Sequence, residues 1–316
     1  MFTFVFLKMS CMSRKMLVII GFAFFMLLGL SSCNSCGRSN KDAFVISDSF
    51  YEGGDELPVN PSVMDEMVDN IASPIEMASL VKSLNVPFSQ RHLATTRNVS
   101  NYNTSHEKAF NLGIFGCNLG YLNMYGRTSL VLDYISAIKT LADGINVGQF
   151  FDFNTLKRLA TNNQNIDSLV HISQQSFNRM DKYLQRNNRG NLSILMVAGV
   201  WVEGLYLSSQ FLKERPNEKR LAESICEQKL MLDQLILILK NYNREQYVAN
   251  LITELTTIKE IYDGIRITIE AGELQMIEVD GMLTFVQTDV STAHYTEEQM
   301  QAIIAQSEIV RNKLIQ

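Results

Sequence analysis

The stretch "MVAGVWVEGLYL", Met196–Leu207, decides the fold. It holds the chain's single tryptophan, Trp201, and one carboxylate, Glu203, in an otherwise apolar run. From Leu192 to Leu207 no other charge occurs, and large apolar groups fall on every face of the helix such a run would form. A helix that is apolar all round is the buried centre of a bundle rather than a surface element. A carboxylate at that depth is costly and must be protonated or paired. The sequence therefore predicts a helix over about 191–214 and a polar group waiting for Glu203.

A second stretch supplies the neighbour. "NLGIFGCNLGYLNMYG" carries Gly113, Gly116 and Gly120 at i, i+3 and i+7, on one helical face. Glycine inside a helix costs up to about 1 kcal/mol relative to alanine, so three on one face predict the close approach of another backbone. Ala198, Gly199 and Gly204 are the natural counterparts. Asn118, Tyr121, Asn123 and Arg127, or a lysine elsewhere, are candidates to meet Glu203. Two readings follow. Glu203, Trp201 and Tyr121, with Asn118, Gly116 and Gly120, line a ligand pocket; or the helices simply pack closely around a hydrogen-bonded Glu. Close packing explains the small residues without a ligand, and one Glu is not a mechanism.

The remaining domain reads as further helices. "TSHE", Thr104–Glu107, is a capping-box pattern opening a helix to about Tyr125. Others are predicted over about 128–143, 153–161, 165–187, 217–241 and 245–271, with Arg215-Pro216-Asn217 as a break. "TEEQ", Thr296–Gln299, caps a last helix to about Leu314. Leu251, Leu255, Ile258, Tyr262, Ile265 and Ile269 alternate in steps of four and three, the seam of a helix packed at a small crossing angle. The strong β signal is "MIEVDGMLTFV", 276–286, two short runs flanking Asp280-Gly281. The expected class is all-α, a multi-helix bundle with one short β-hairpin near the C-terminus. No period near 34 residues recurs, which excludes a tetratricopeptide array.

The front of the chain is a targeting segment. Arg14 and Lys15 precede the apolar run "MLVIIGFAFFMLLGL", which is shorter than the roughly 20 residues of a spanning helix. Leu30-Ser31-Ser32-Cys33 then matches a bacterial lipobox. Its chemistry is a thioether from Cys33 to diacylglycerol, cleavage before Cys33 and acylation of the new amino group. The start is Met1, Met9 or Met12, with "MSRK" the better basic flank. This divides the chain into a signal peptide (1–32), a polar tether from lipidated Cys33 (33–60) and a helical domain (61–316). "NPSVMDEMVDNI" and "SPIEMASLVKSL" open that domain as short helices. Asn34 after Cys33 does not favour inner-membrane retention, and the tether lacks an acidic export run. An outer-membrane protein facing the periplasm is expected.

Removing 1–32 takes away Lys8, Arg14 and Lys15 and no acid, so the net charge moves from −5 to −8. That balance argues against nucleic acid, which calls for a clustered basic face, and against a polybasic lipid-binding surface. Of five cysteines, Cys11 leaves with the signal and Cys33 takes lipid. Cys36, Cys117 and Cys226 remain, and Cys117 and Cys226 are expected as buried reduced thiols. His92, His106, His171 and His294 are widely separated and form no HExxH, so no metal site is expected. There is no GxSxG elbow, P-loop or dinucleotide fingerprint, and no catalytic residue or cofactor is assigned.

At "LGIFGCNLGY", "SPIEMASLVKSLNVPF" and "VAGVWVEGLYL" the chain resembles a family of uncharacterised helical lipoproteins of Bacteroidetes-type Gram-negative bacteria. Its pattern is Gly-aliphatic-Tyr-Gly-Ala-Asp-Leu-x-Tyr, followed by a helix with a Trp-Val-Glu-Gly core. Phe115, Cys117 and Asn118 stand here for the pattern's Tyr, Ala and Asp, so any ionic role of that aspartate is missing. The resemblance spans roughly residues 70–315 and implies fold and localisation only. The expected function is a lipid-anchored, non-enzymatic interaction or scaffold protein with an unknown partner. The alternative is a lipoprotein binding a small molecule between the glycine helix and the Trp201/Glu203 helix.

Overall fold

Thr104 starts helix α1, Ser105–Met124, through the expected capping box: its Oγ1 accepts from Glu107 N at 3.1 Å, and Glu107 Oε2 accepts from Thr104 N at 2.8 Å. In the computed structural model the described residues are 84, 86–160, 166–270, 272, 274–279, 282–287 and 290–316. Leu30, Ser31, Ser32 and Cys33, the tether and the two helices expected before residue 84 lie outside them, as does the Asp280-Gly281 turn. After α1 come α2 (Thr128–Gly144), α3 (Phe153–Ala160), α4 (Ile166–Arg186), α5 (Gly190–Glu214), α6 (Lys219–Lys240), α7 (Gln246–Asp263) and α8 (Glu297–Leu314). Gly126, Asn146 and Asn188, with φ of 61°, 57° and 56°, turn the chain out of α1, α2 and α4 in the left-handed region. Glycine and asparagine are the residues that visit it most readily.

Helix α5 is the centre. It packs against α1, α4, α6 and α8, and from Leu192 to Leu212 only Val200 and Gly204 are not fully buried. By length and composition α5 is also apolar enough to cross a membrane. Here its apolar faces are spent on neighbouring helices.

Two glycines make the close approach. A Cβ on Gly113 would stand 2.0 Å from the Met196 carbonyl oxygen, and one on Gly199 would stand 2.0 Å from that of Phe110. The α1–α5 crossing therefore excludes any side chain at these two positions. Gly116 and Gly120 correct the expected stripe: both are exposed, and a Cβ on either would meet nothing within 4 Å, as is also true of Gly204. The reason is the crossing itself: Gly113 lies where the two helices meet, and Gly116 and Gly120, about one and two turns further along the same side, lie beyond the contact.

The seam of α7 is buried at Leu251, Leu255, Ile258 and Tyr262. The helix stops at Asp263, not near 271. Ile265 remains in the core, but Ile269 is 61% exposed and lies in strand β1, Arg266–Glu270. "RITIE" holds three β-branched residues in a row, Ile267, Thr268 and Ile269, and it pairs antiparallel with β4, Val290–His294. Inside this pair, β2 (Leu274–Val279) and β3 (Met282–Gln287) form the hairpin expected from the sequence, with Val279 opposite Met282. The bundle is thus all-α, with an antiparallel β-ribbon near its C-terminus. Thr296 then caps α8 through a second capping box with Gln299.

Candidate functional site

Glu203 has no exposed side-chain surface, and it is fully partnered. Arg311 of α8 approaches edge-on: Nε donates to Oε2 at 2.9 Å and Nη2 donates to Oε1 at 2.9 Å. Asn118 Nδ2 of α1 donates to Oε1 at 2.6 Å. The guanidinium itself stacks 4.5 Å from the centre of the Tyr206 ring. Burial is the largest single influence and works against the Arg311 charge, but the charge and hydrogen bonds of Glu203, with Tyr206 and Tyr134, together outweigh it and hold the guanidinium above its usual range. A bidentate guanidinium pair in a water-poor interior is a strong, directional contact. With Asn118 it occupies both oxygens of the carboxylate.

Asn118 ties this node to a strap of chain, residues 86–102, which runs along the C-terminal half of α1. Its Oδ1 accepts from Ala94 N at 3.0 Å, and its Nδ2 also reaches Ile114 O at 2.8 Å. Tyr134 O–H donates to Ala94 O at 2.5 Å, and Arg311 Nη2 lies 3.4 Å from His92 O. Tyr121 and Tyr125 continue the row up α1. Tyr121 O–H accepts from Ser89 N at 2.9 Å, and Tyr125 O–H donates to Val86 O at 2.6 Å. Burial pushes the Tyr134 and Tyr125 hydroxyls up to about 12, so both remain protonated donors. Asn118, Tyr121 and Tyr125 recur at i, i+3 and i+7, which places them on one face. They satisfy backbone groups that irregular chain cannot satisfy itself.

The expected pocket residues are therefore divided. Asn118 meets Glu203. Tyr121 instead serves the strap and stacks between Phe88 (5.4 Å) and Phe211 (5.5 Å). Trp201, two residues before Glu203, points to a different side of α5, because residues at i and i+2 do not face each other. It is buried, and among the described residues its Nε1 has no hydrogen-bond partner. Gly116 and Gly120 are exposed and take no part. Asn123 and Arg127 do not reach Glu203; Arg127 sits 4.7 Å over the Phe88 ring.

Sequence reasoning missed Arg311. It stands 108 residues from Glu203, yet a signal exists. Met300, Ile303, Ile304, Ser307 and Arg311 form the buried stripe of α8, so the sequence places a base where an apolar residue belongs. A second polar cluster forms around Glu245. His106 Nε2 lies 2.5 Å from Glu245, which also accepts from Asn191 Nδ2 at 2.9 and 3.0 Å, and His106 stacks on Tyr247. Cys117 and Cys226 are free thiols; Cys226 is buried as expected, but Cys117 is only half-buried. Burial raises both, Cys226 to about 12, which leaves them poor nucleophiles. Among the described residues no group of three His, Cys, Asp or Glu side chains is placed to hold a metal ion.

Comparison with known proteins places the chain beside none of them: no family model, curated protein or solved structure matches it.

Proposed function

We propose that this is a lipid-anchored protein of the bacterial cell envelope that works by interaction rather than catalysis. Acylated Cys33 would hold it to the membrane, as in the helical lipoproteins that "LGIFGCNLGY" and "VAGVWVEGLYL" resemble. The observation that supports the non-enzymatic reading is the state of Glu203. It is the one carboxylate that the sequence puts in the centre of the domain. Both its oxygens are taken by Arg311 and Asn118, so its binding capacity is spent on joining α1, α5 and α8.

Glu203→Gln tests this. If Glu203 is part of the fold, the change leaves the Arg311 charge buried without its counter-ion, at a cost of about 3–5 kcal/mol. The unfolding midpoint should fall by several degrees. An unchanged midpoint would instead return Glu203 to the ligand-pocket reading. The anchor has a separate test: Cys33→Ala should block signal cleavage and lipid labelling in cells, and normal maturation of that variant would remove the lipoprotein assignment.

A further inference from the structure

Helix α4 carries a row of bases on its outer face. Arg179, Lys182 and Arg186 fall at i, i+3 and i+7, so they line one side of the helix over about 10 Å. All three are exposed, and the exposed residues that share the face, Gln175 and Asn178, are uncharged. The one acid in the stretch, Asp181, is turned away, accepting from the Ser193 hydroxyl and the Gln185 amide. Arg179 donates only to its own helix, to Gln175 O at 3.3 Å. Among the described residues none of the three bases has an ion-pair partner.

Several bases elsewhere on the surface are paired with acids, whereas among the described residues the exposed Arg91, Arg97, Arg220, Arg244 and Arg266 are not, but these are scattered over different elements. Lys139 pairs with Asp143, Lys213 with Glu308, Lys219 with Glu223, Lys259 with Asp233 and Asp263, and Lys313 with Glu254. Arg186 complements the C-terminal end of the α4 dipole. Lys182 and Arg179, one and two turns earlier, have no such role. A stripe of one sign on a chain of net charge −5 repels its own kind and attracts an anionic surface.

We infer that this face of α4 rests on anionic phospholipid headgroups of the membrane to which the protein is anchored. The inference depends on the lipid-anchor reading for its setting and on the α4 geometry for its content. The lipid at Cys33 would bring the domain to the bilayer without itself selecting the face that turns toward it. Charge complementarity makes that choice: the α4 stripe is attracted to the anionic surface, and the acidic remainder is repelled.

The test uses the chain from residue 34 without lipid, which contains the whole compact unit Leu57–Gln316. Its partition is measured on phosphatidylcholine vesicles with and without phosphatidylglycerol. Three bases at an anionic surface should strengthen binding on the order of a hundredfold, and added salt should erase the gain. Arg179→Gln, Lys182→Gln and Arg186→Gln together should abolish it with the unfolding midpoint unchanged. Equal binding to the two vesicle types, or full binding by the triple variant, would overturn the proposal. So would self-association in sedimentation that the triple variant loses, since the stripe would then serve a second copy. Because the chain tested carries no lipid, failure here is distinct from failure of the Cys33 anchor.

Discussion

Glycines of one type along α1 do opposite things, and substitution should separate them. Gly113 lies under the Met196 carbonyl, where a methyl group has no room. Gly113→Ala should push α1 from α5 and cost about 1–3 kcal/mol, as overpacked cores do. Gly116→Ala and Gly120→Ala fill open space on an exposed helix face, and each should stabilise by up to about 1 kcal/mol through helix propensity. Thermal unfolding of the three single variants is sufficient; a loss of stability in Gly116→Ala would mean that a partner covers that face. The same residues show what the sequence makes legible. Glycine spacing announces a crossing but not its location, because only the crossing angle decides which turn touches. Glu203 was legible as a buried charge, since nothing polar surrounds it in sequence. Its main partner was not, because proximity between residues 108 apart is a property of the assembled bundle.

At the scale of elements, helix starts were readable where side chains cap their own backbone. Thr104–Glu107 and Thr296–Gln299 lie as expected because a capping box is complete within four residues. The end of α7 was misplaced because Ile265 and Ile269 continue the helical period while "RITIE" also fits a strand. The pairing with β4 that decides between them is remote in sequence. The docking of α8 on α5 has its own pH signature. Lys213 pairs with Glu308 and holds that carboxyl below its usual value of 4.5. A lowered folded value means that the contribution is present above about pH 4.5 and is lost as pH falls through the folded value. The pair is exposed, so the effect is small. Lys213→Met should flatten the acid limb of the stability–pH curve below pH 4.5 and leave stability at neutral pH little changed. An acid limb as steep as that of the parent chain would assign the dependence to another carboxylate.

For the whole molecule, the node at Glu203 joins the two ends of the described chain. Arg311 reaches from the last helix to the strap at His92, and Tyr102 O–H donates to Ile315 O at 3.2 Å. The strap, α1, α5 and α8 therefore share one set of buried polar contacts, and they should unfold together. A buried ion pair is a weak source of net stability, because desolvation consumes most of its Coulombic gain, but breaking one side of it is expensive. That asymmetry gives a quantitative expectation. Arg311→Met strands the Glu203 carboxylate and should cost about 3–5 kcal/mol, matching Glu203→Gln. Glu203→Leu alone should cost at least as much, and Glu203→Leu combined with Arg311→Met, which removes both charges, should cost far less than these two single losses together. Asn118 would lose one of its two acceptors but keep the Ile114 carbonyl, and its Oδ1 would still hold Ala94. Denaturant unfolding of the cycle, followed by the fluorescence of Trp201 and by far-ultraviolet dichroism, reads both parts of the claim. Strictly additive losses would show that Glu203 and Arg311 act separately, and non-coincident transitions would show that the strap and α8 are not one cooperative unit with α1 and α5.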